Sequence, residues 1–195
     1  MAKLYFRHGV MGSSKTANAL MVRYNYMERG KKVVLLKPQL ETRDVDHKIM
    51  SRMGLCADCL TVEEFEAHVR DNWEHSDEWK ELSAVIVDDS QFMTAKQVEF
   101  LAELVDTYEI AVICYGLLID FQGHLFEGSK RLVELANVME EVPSICWCGK
   151  KAHFNARIHN GKIVYTGDQI MMGGNESYTA LCRKHYYEGV ISKPE

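Results

Sequence analysis

Gly9-Val10-Met11-Gly12-Ser13-Ser14-Lys15-Thr16 constrains the fold of this chain more than any other stretch. Apolar Leu4-Tyr5-Phe6 precedes it and reads as a short buried strand. In residues 16–29, which follow, Ala17, Leu20, Met21, Tyr24 and Met27 recur at helical spacing, and Gly30 closes the helix. Strand, glycine-rich turn and helix in that order form the setting of a phosphate loop. In such a loop successive backbone N–H groups face phosphate oxygens, and the helix N-terminus adds a favourable dipole. The lysine reaches the terminal phosphates and the threonine hydroxyl sits on Mg²⁺. Against the pattern G-x-x-x-x-G-K-[ST], Ser14 stands where a second glycine is usual, so a residue with a β-carbon must adopt the backbone the loop demands. The order of strand, loop, Lys-Thr and helix favours a phosphate loop over an ordinary Gly/Ser turn. Gly9, Met11, Gly12, Ser13, Ser14, Lys15 and Thr16 are its expected members.

The rest of the chain alternates in the same way. Val33-Val34-Leu35-Leu36 is a continuous apolar run of the kind buried in a parallel sheet, followed by a polar loop over about 39–52. Thr61 and Glu64 have capping-box spacing at the start of a helix. Ala84-Val85-Ile86-Val87 predicts a third buried strand, residues 94–108 an amphipathic helix, residues 110–115 a fourth strand, and 126–140 one more helix. Alternating strands and helices predict an α/β fold, a P-loop doubly wound and mostly parallel sheet. Beyond Pro143 the character changes to short β-like runs, frequent glycines and three of the six cysteines. The expected division is residues 1–142 for the nucleotide-binding layer and 143–195 for a small second domain.

Composition narrows the partners. A net charge of -5 argues against duplex nucleic acid, whose binders of this size carry a basic face. No apolar stretch approaches the roughly 20 residues that span a bilayer, and no secretory h-region opens the chain. The expectation is a cytoplasmic protein with no membrane contact, its cysteines thiols or metal ligands rather than disulfides. Cys146-x-Cys148 and Cys182-x-x-His185 form two ligand pairs suited to a closed tetrahedral Cys₃His zinc site, which would staple a domain too small to build its own core. Cys56-x-x-Cys59 has better zinc spacing but nothing nearby completes it, and Cys114 lies within a predicted strand; these three read as plain thiols.

A buried strand ending in Asp88-Asp89 supports the phosphate loop, since P-loop enzymes place an acid there to hold the metal's water shell. The combination of the Met-containing loop, Asp88-Asp89-Ser90-Gln91-Phe92, Tyr115-Gly116-Leu117 with Asp120-Phe121, and Gly173-Gly174-Asn175-Glu176-Ser177-Tyr178 followed by Cys182-Arg183-Lys184-His185-Tyr186 resembles the type II thymidine kinases, over about residues 3–187. The resemblance implies transfer of the γ-phosphoryl of ATP to the 5′-hydroxyl of thymidine. It implies Mg²⁺ with ATP at Thr16 and Asp88, and a general base at Asp89. Substrate contacts are implied at Arg43, Gln91, Phe92, Leu117, Phe121 and Tyr178, with a lasso-like loop over about 158–177 closing on the base. It also implies structural Zn²⁺ in the C-terminal lasso domain, a homotetramer and feedback inhibition by dTTP.

This chain departs from the family pattern at three places. Asp89 stands where Glu is usual, Ser14 where Gly is, and Glu41 where Asp is common. The shorter acid loses about 1.5 Å of reach, one carbon–carbon bond. Two other readings therefore stay open: a nucleotide-binding module without catalysis, suggested by Ser14, Glu41 and Asp89, and a zinc-ribbon nucleic-acid binder, which the acidic balance opposes.

Overall fold

A computed structural model describes residues 1–39, 47–72, 81–170 and 178–193. Arg43, Glu41 and the segment Gly173–Ser177 fall outside the described residues.

The element order begins with strand β1 (Leu4–His8), helix α1 (Lys15–Glu28) and strand β2 (Lys32–Lys37). Strands β3 (Lys48–Met50), β4 (Cys56–Asp58) and β5 (Leu60–Thr61) follow, then α2 (Val62–Asn72) and β6 (Leu82–Val87). A 3₁₀ turn (Ser90–Phe92), α3 (Ala95–Tyr108), β7 (Ala111–Gly116), α4 (Glu127–Leu135) and β8 (Val138–Glu141) complete the larger layer. Last come β9 (Phe154–His159), β10 (Lys162–Val164), β11 (Tyr178–Leu181) and α5 (Arg183–Glu188).

Six strands pair in the order β5-β2-β6-β7-β1-β8, every neighbouring pair parallel. The strand alternation explains why helices cover both faces. On β6 and β7, Val85, Val87, Val112 and Cys114 pack with Leu101 and Leu104 of α3, Phe65 of α2 and Leu132 of α4. The intervening Ile86, Ile113 and Tyr115 point the other way, against Ala19 and Leu20 of α1. The expected cap forms: Thr61 N–H donates to Glu64 Oε2 at 2.9 Å and Glu64 N–H to Thr61 Oγ1 at 3.1 Å; Thr94 likewise caps α3 with Gln97 as its box partner.

Three elements differ from the expectation. The polar loop over 39–52 contains β3, which pairs antiparallel with β4, because Ile49 is buried against the α1 side of the sheet. β8 is an edge strand beside β1 whose outer residues are exposed, so no apolar run announces it. Residues 158–164, expected to open the lasso, lie in the β9–β10 hairpin, turned by Asn160-Gly161 with both φ positive (49° and 73°). β9, β10 and β11 form a separate antiparallel sheet in the order β10-β9-β11. A small core of Phe154, Ala156, Leu181 and Tyr186 with Cys146 and Cys182 backs it.

Candidate active site

The loop between β1 and α1 is shaped by close approach. A β-carbon on Gly9 would lie 2.4 Å from the Val142 carbonyl oxygen and 2.5 Å from Ser13 Oγ, so only glycine fits. Gly12 has φ 76°, and Ser14 is left-handed too, at φ 61° and ψ 24°. The loop thus adopts the backbone a second glycine would serve, with a serine in its place. Lys15 is buried, its Nζ donating to the Val10 carbonyl at 2.8 Å and lying 3.3 Å from Ser13 Oγ. Burial lowers the ammonium's pKa to about 8, against the pull of Asp89 and Asp88.

β6 delivers the acids at its C-terminal end, beside the loop, where ligands of open α/β sheets bind. Asp88 is buried and hydrogen-bonded to the Thr16 side chain. Burial first, and Asp89 second, push its carboxyl up to about 7. An oxygen-only pair of Thr16 and Asp88 suits a hard cation such as Mg²⁺. Asp89 turns left-handed at φ 50° and ψ 34°, which releases the chain from the sheet and leaves its carboxylate exposed. Gln91 is buried and bridges: Nε2 donates to Asp89 Oδ1 at 3.2 Å while Oε1 accepts from Leu117 N–H at 2.9 Å. Its amide therefore orients the acid and is already engaged by protein groups.

Beyond the acids, Phe92 packs edge-on against Phe126, 5.8 Å between centroids. Leu117 and Phe121 are buried. Phe121 is held by Tyr186, whose hydroxyl donates to its carbonyl at 2.6 Å, and by the Arg157 guanidinium 3.5 Å above its ring. Arg157 Nε also donates to the Tyr178 hydroxyl at 2.8 Å, so Phe121 and Tyr178 converge through one buried cation.

The ligand atoms of Cys146, Cys148, Cys182 and His185 all lie within 4.8 Å of one another. Cys146 Sγ is 3.4 Å and Cys182 Sγ 3.5 Å from His185 Nδ1, and Cys148 Sγ is 3.9 Å from Cys182 Sγ. Tetrahedral zinc, with Zn–S about 2.3 Å and Zn–N about 2.0–2.1 Å, requires separations of roughly 3.5–3.8 Å, so the set is compatible with a structural zinc. Burial opposes ionisation of Cys146, but the backbone amides of Cys148 and Cys182 and the His185 ring together lower its thiol to about 6. The His185 ring is fixed by Trp147, stacked at 4.2 Å. Of the other cysteines, Cys56 is exposed and Cys59 and Cys114 are buried.

With this geometry in place, the comparisons are specific. The family model described as thymidine kinase matches residues 2–186. The chain belongs to the thymidine kinase family. Thymidine kinase of Streptococcus pyogenes serotype M3 (strain ATCC BAA-595 / MGAS315) is 42% identical over 193 residues, covering 98% of this chain and 100% of that one. Thymidine kinase of Streptococcus agalactiae serotype Ia is 41% identical over 189 residues, 96% of this chain and 98% of that one. Pif1 helicase from Candida albicans overlaps in structure with a TM-score of 0.42 and 12% identity, over 74% of this chain and 36% of that one. An overlap that slight has no bearing on the fold.

In this thymidine kinase family member, two residues that no motif points to are drawn into the site from β9. Asn155 Oδ1 accepts from Met11 N–H at 2.7 Å, tying the phosphate loop to the antiparallel sheet. Arg157 is the other. Both sit mid-strand, and neither has a local signal that separates it from a structural polar residue.

Ser14 carries a testable cost. It is exposed, makes no side-chain cap, and occupies a backbone region that costs an L-residue about 1–2 kcal/mol. Ser14→Gly is expected to stabilise by about 1 kcal/mol, a melting-temperature rise of about 2–4 °C for a chain of this length. Calorimetry checks it, and a fall in melting temperature would show that the serine side chain contributes there.

Proposed function

We propose that the chain phosphorylates thymidine, transferring the γ-phosphoryl group of ATP to the nucleoside 5′-hydroxyl to give dTMP and ADP. The observation that carries this is the pairing of Lys15-Thr16 with Asp88-Asp89 at one end of the sheet, in a chain whose family match spans nearly its whole length.

In this reading the backbone of residues 9–16 and Lys15 hold the triphosphate. Thr16 and Asp88 hold Mg²⁺, which when bound neutralises charge on the β- and γ-phosphates. Asp89 accepts the proton of the 5′-hydroxyl as its oxygen bonds to the γ-phosphorus, the bond from that phosphorus to the bridging oxygen breaks, and ADP departs. Gln91 keeps the Asp89 carboxylate turned toward the substrate through the hydrogen bond at 3.2 Å. Phe92, Leu117, Phe121 and Tyr178 border the nucleoside, Phe121 and Tyr178 set in place by Arg157. Arg43 contributes from outside the described residues. Structural Zn²⁺ sits on Cys146, Cys148, Cys182 and His185. The division at residue 142 is supported by the change from a parallel to an antiparallel sheet. The family resemblance supports a cytoplasmic homotetramer inhibited by dTTP, acting on nucleosides rather than nucleic acid or membranes. Among the described residues no helix is long and apolar enough to cross a membrane.

A coupled assay of ADP release with thymidine and ATP, with dTMP identified as product, tests the reading. Tight binding of thymidine or dTTP without turnover would instead make the chain a nucleotide-binding module.

The Lys15 environment adds a pH dependence. Lys15 attracts phosphate only as a cation, and its burial lets it keep its proton only up to about pH 8. A bound triphosphate raises that value. ATP affinity is therefore full below pH 8 and declines as pH rises through it, by up to about tenfold per unit. Calorimetric titrations across this range check the sign; affinity that rises with pH would contradict it.

A further inference from the structure

We infer that Arg52 is a second cation for the phosphates of the nucleotide, brought to the loop by the β3–β4 hairpin. The hairpin is planted on the sheet by Ile49 and Cys59, both buried in the cluster that contains Leu20, Leu35 and Tyr115. Its turn is closed by Ser51, itself buried. Ser51 N–H donates to the Leu55 carbonyl at 2.8 Å, Leu55 N–H to Ser51 Oγ at 3.1 Å, and Gly54 N–H to the Ser51 carbonyl at 3.0 Å. Gly54 takes the φ of 84° that this closure requires. The backbone at residue 52 is thus fixed while its side chain is exposed.

That side chain turns back over the phosphate loop. Its Nη1 lies 4.0 Å from the point where a β-carbon on Gly12 would sit. Gly12 has no side chain, and the guanidinium stands at van der Waals distance from where one would sit. The Arg52 charge is felt at the Lys15 ammonium, which it opposes. Among the described residues Arg52 has no ion-pair or hydrogen-bond partner. Two cations therefore converge on one loop, the outer one unpaired by any described carboxylate. Like charges side by side repel, and the arrangement becomes favourable once a polyanion lies between them. A guanidinium suits the task, because its planar fork meets two phosphate oxygens at once. Lys15 grips the triphosphate from the buried side and Arg52 from the solvent side. Arg52 so placed offsets negative charge in bound ATP and in the transition state.

The inference rests on ATP being the phosphoryl donor, and two measurements separate the two claims. Thymidine phosphorylation by the wild-type chain reports on the function. Binding of ATP to wild type and Arg52→Ala, by calorimetry, reports on Arg52 whether or not turnover occurs. Arg52→Ala is expected to weaken ATP binding about tenfold, as for loss of a hydrogen bond to a charged group. It is expected to lower kcat roughly 10²-fold, as for loss of one donor aimed at developing charge, with the KM for thymidine and the melting temperature unchanged. Added guanidinium ion or Arg52→Lys should restore part of kcat. ATP affinity and kcat within twofold of wild type would overturn the inference. So would a loss that neither guanidinium nor lysine restores, since that outcome denotes packing rather than charge.

Discussion

Asp89→Asn is expected to lower kcat roughly 10²–10⁴-fold, the contribution of a general base in a proton-transfer step. The substitution isolates that step. Asn tolerates the left-handed backbone at φ 50° as Asp does, and its side-chain oxygen can still accept from Gln91 Nε2. Size, backbone and orienting contact persist, and only the capacity to take a proton disappears. KM for thymidine and the melting temperature should change little. Steady-state rates at saturating ATP and thymidine measure it, and an unchanged kcat would remove Asp89 from the mechanism. Asp89→Glu should retain activity, because the longer side chain restores about 1.5 Å of reach. Complete loss in that variant would mean the site is built around the shorter acid, for which the left-handed backbone supplies a reason: Asp adopts it far more readily than Glu.

The second large effect concerns the metal. Removing zinc with a chelator, or replacing Cys182 with Ser, is expected to destabilise the C-terminal layer by several kcal/mol. Apparent binding free energies for structural zinc in small domains are about 10–16 kcal/mol, and the core that would remain is small. The KM for thymidine should rise more than that for ATP. In the proposed site β9 and β11 carry Arg157 and Tyr178 on the nucleoside side, whereas Lys15 and Thr16 open α1 beside the parallel sheet. Cys56→Ser, at an exposed thiol away from the ligand set, is the control and should leave zinc content and stability unchanged. Elemental analysis with thermal melts decides; wild-type protein free of zinc and indifferent to chelation would refute the site. Acid should act as a chelator does. Thiol ligands bind zinc only when deprotonated, so zinc retention weakens as pH falls.

How far the sequence reveals this depends on the length scale of each signal. The phosphate loop is legible because strand, turn and helix are consecutive, although the demand for glycine at Gly9 comes from the distant Val142 carbonyl as well as from the neighbouring Ser13 Oγ. β6 and β7 are legible because burial on both faces writes an uninterrupted apolar run. The acids follow directly from where β6 ends. Two ligand pairs are legible as spacings, although their meeting at 3.4–3.9 Å is a property of the fold. β8 is illegible because an exposed edge needs no apolar pattern, only a register with β1. The β3–β4 hairpin hides inside a polar stretch because a single buried residue, Ile49, anchors its first strand.

The sequence by itself determines the parallel α/β layer, the loop with Lys15 and Thr16, the acids at 88 and 89, and the two pairs of candidate metal ligands. Each is encoded by neighbours within a few residues, where periodicity, turn chemistry and spacing operate. Only the tertiary structure decides that Asn155 holds the Met11 amide, that Arg157 joins Phe121 to Tyr178, and that Arg52 stands over Gly12. These contacts bridge as many as 144 positions of the chain. Whether such groups meet is set by how sheets and hairpins pack, and a polar residue in mid-strand or on a loop carries no local mark of the partner it will find.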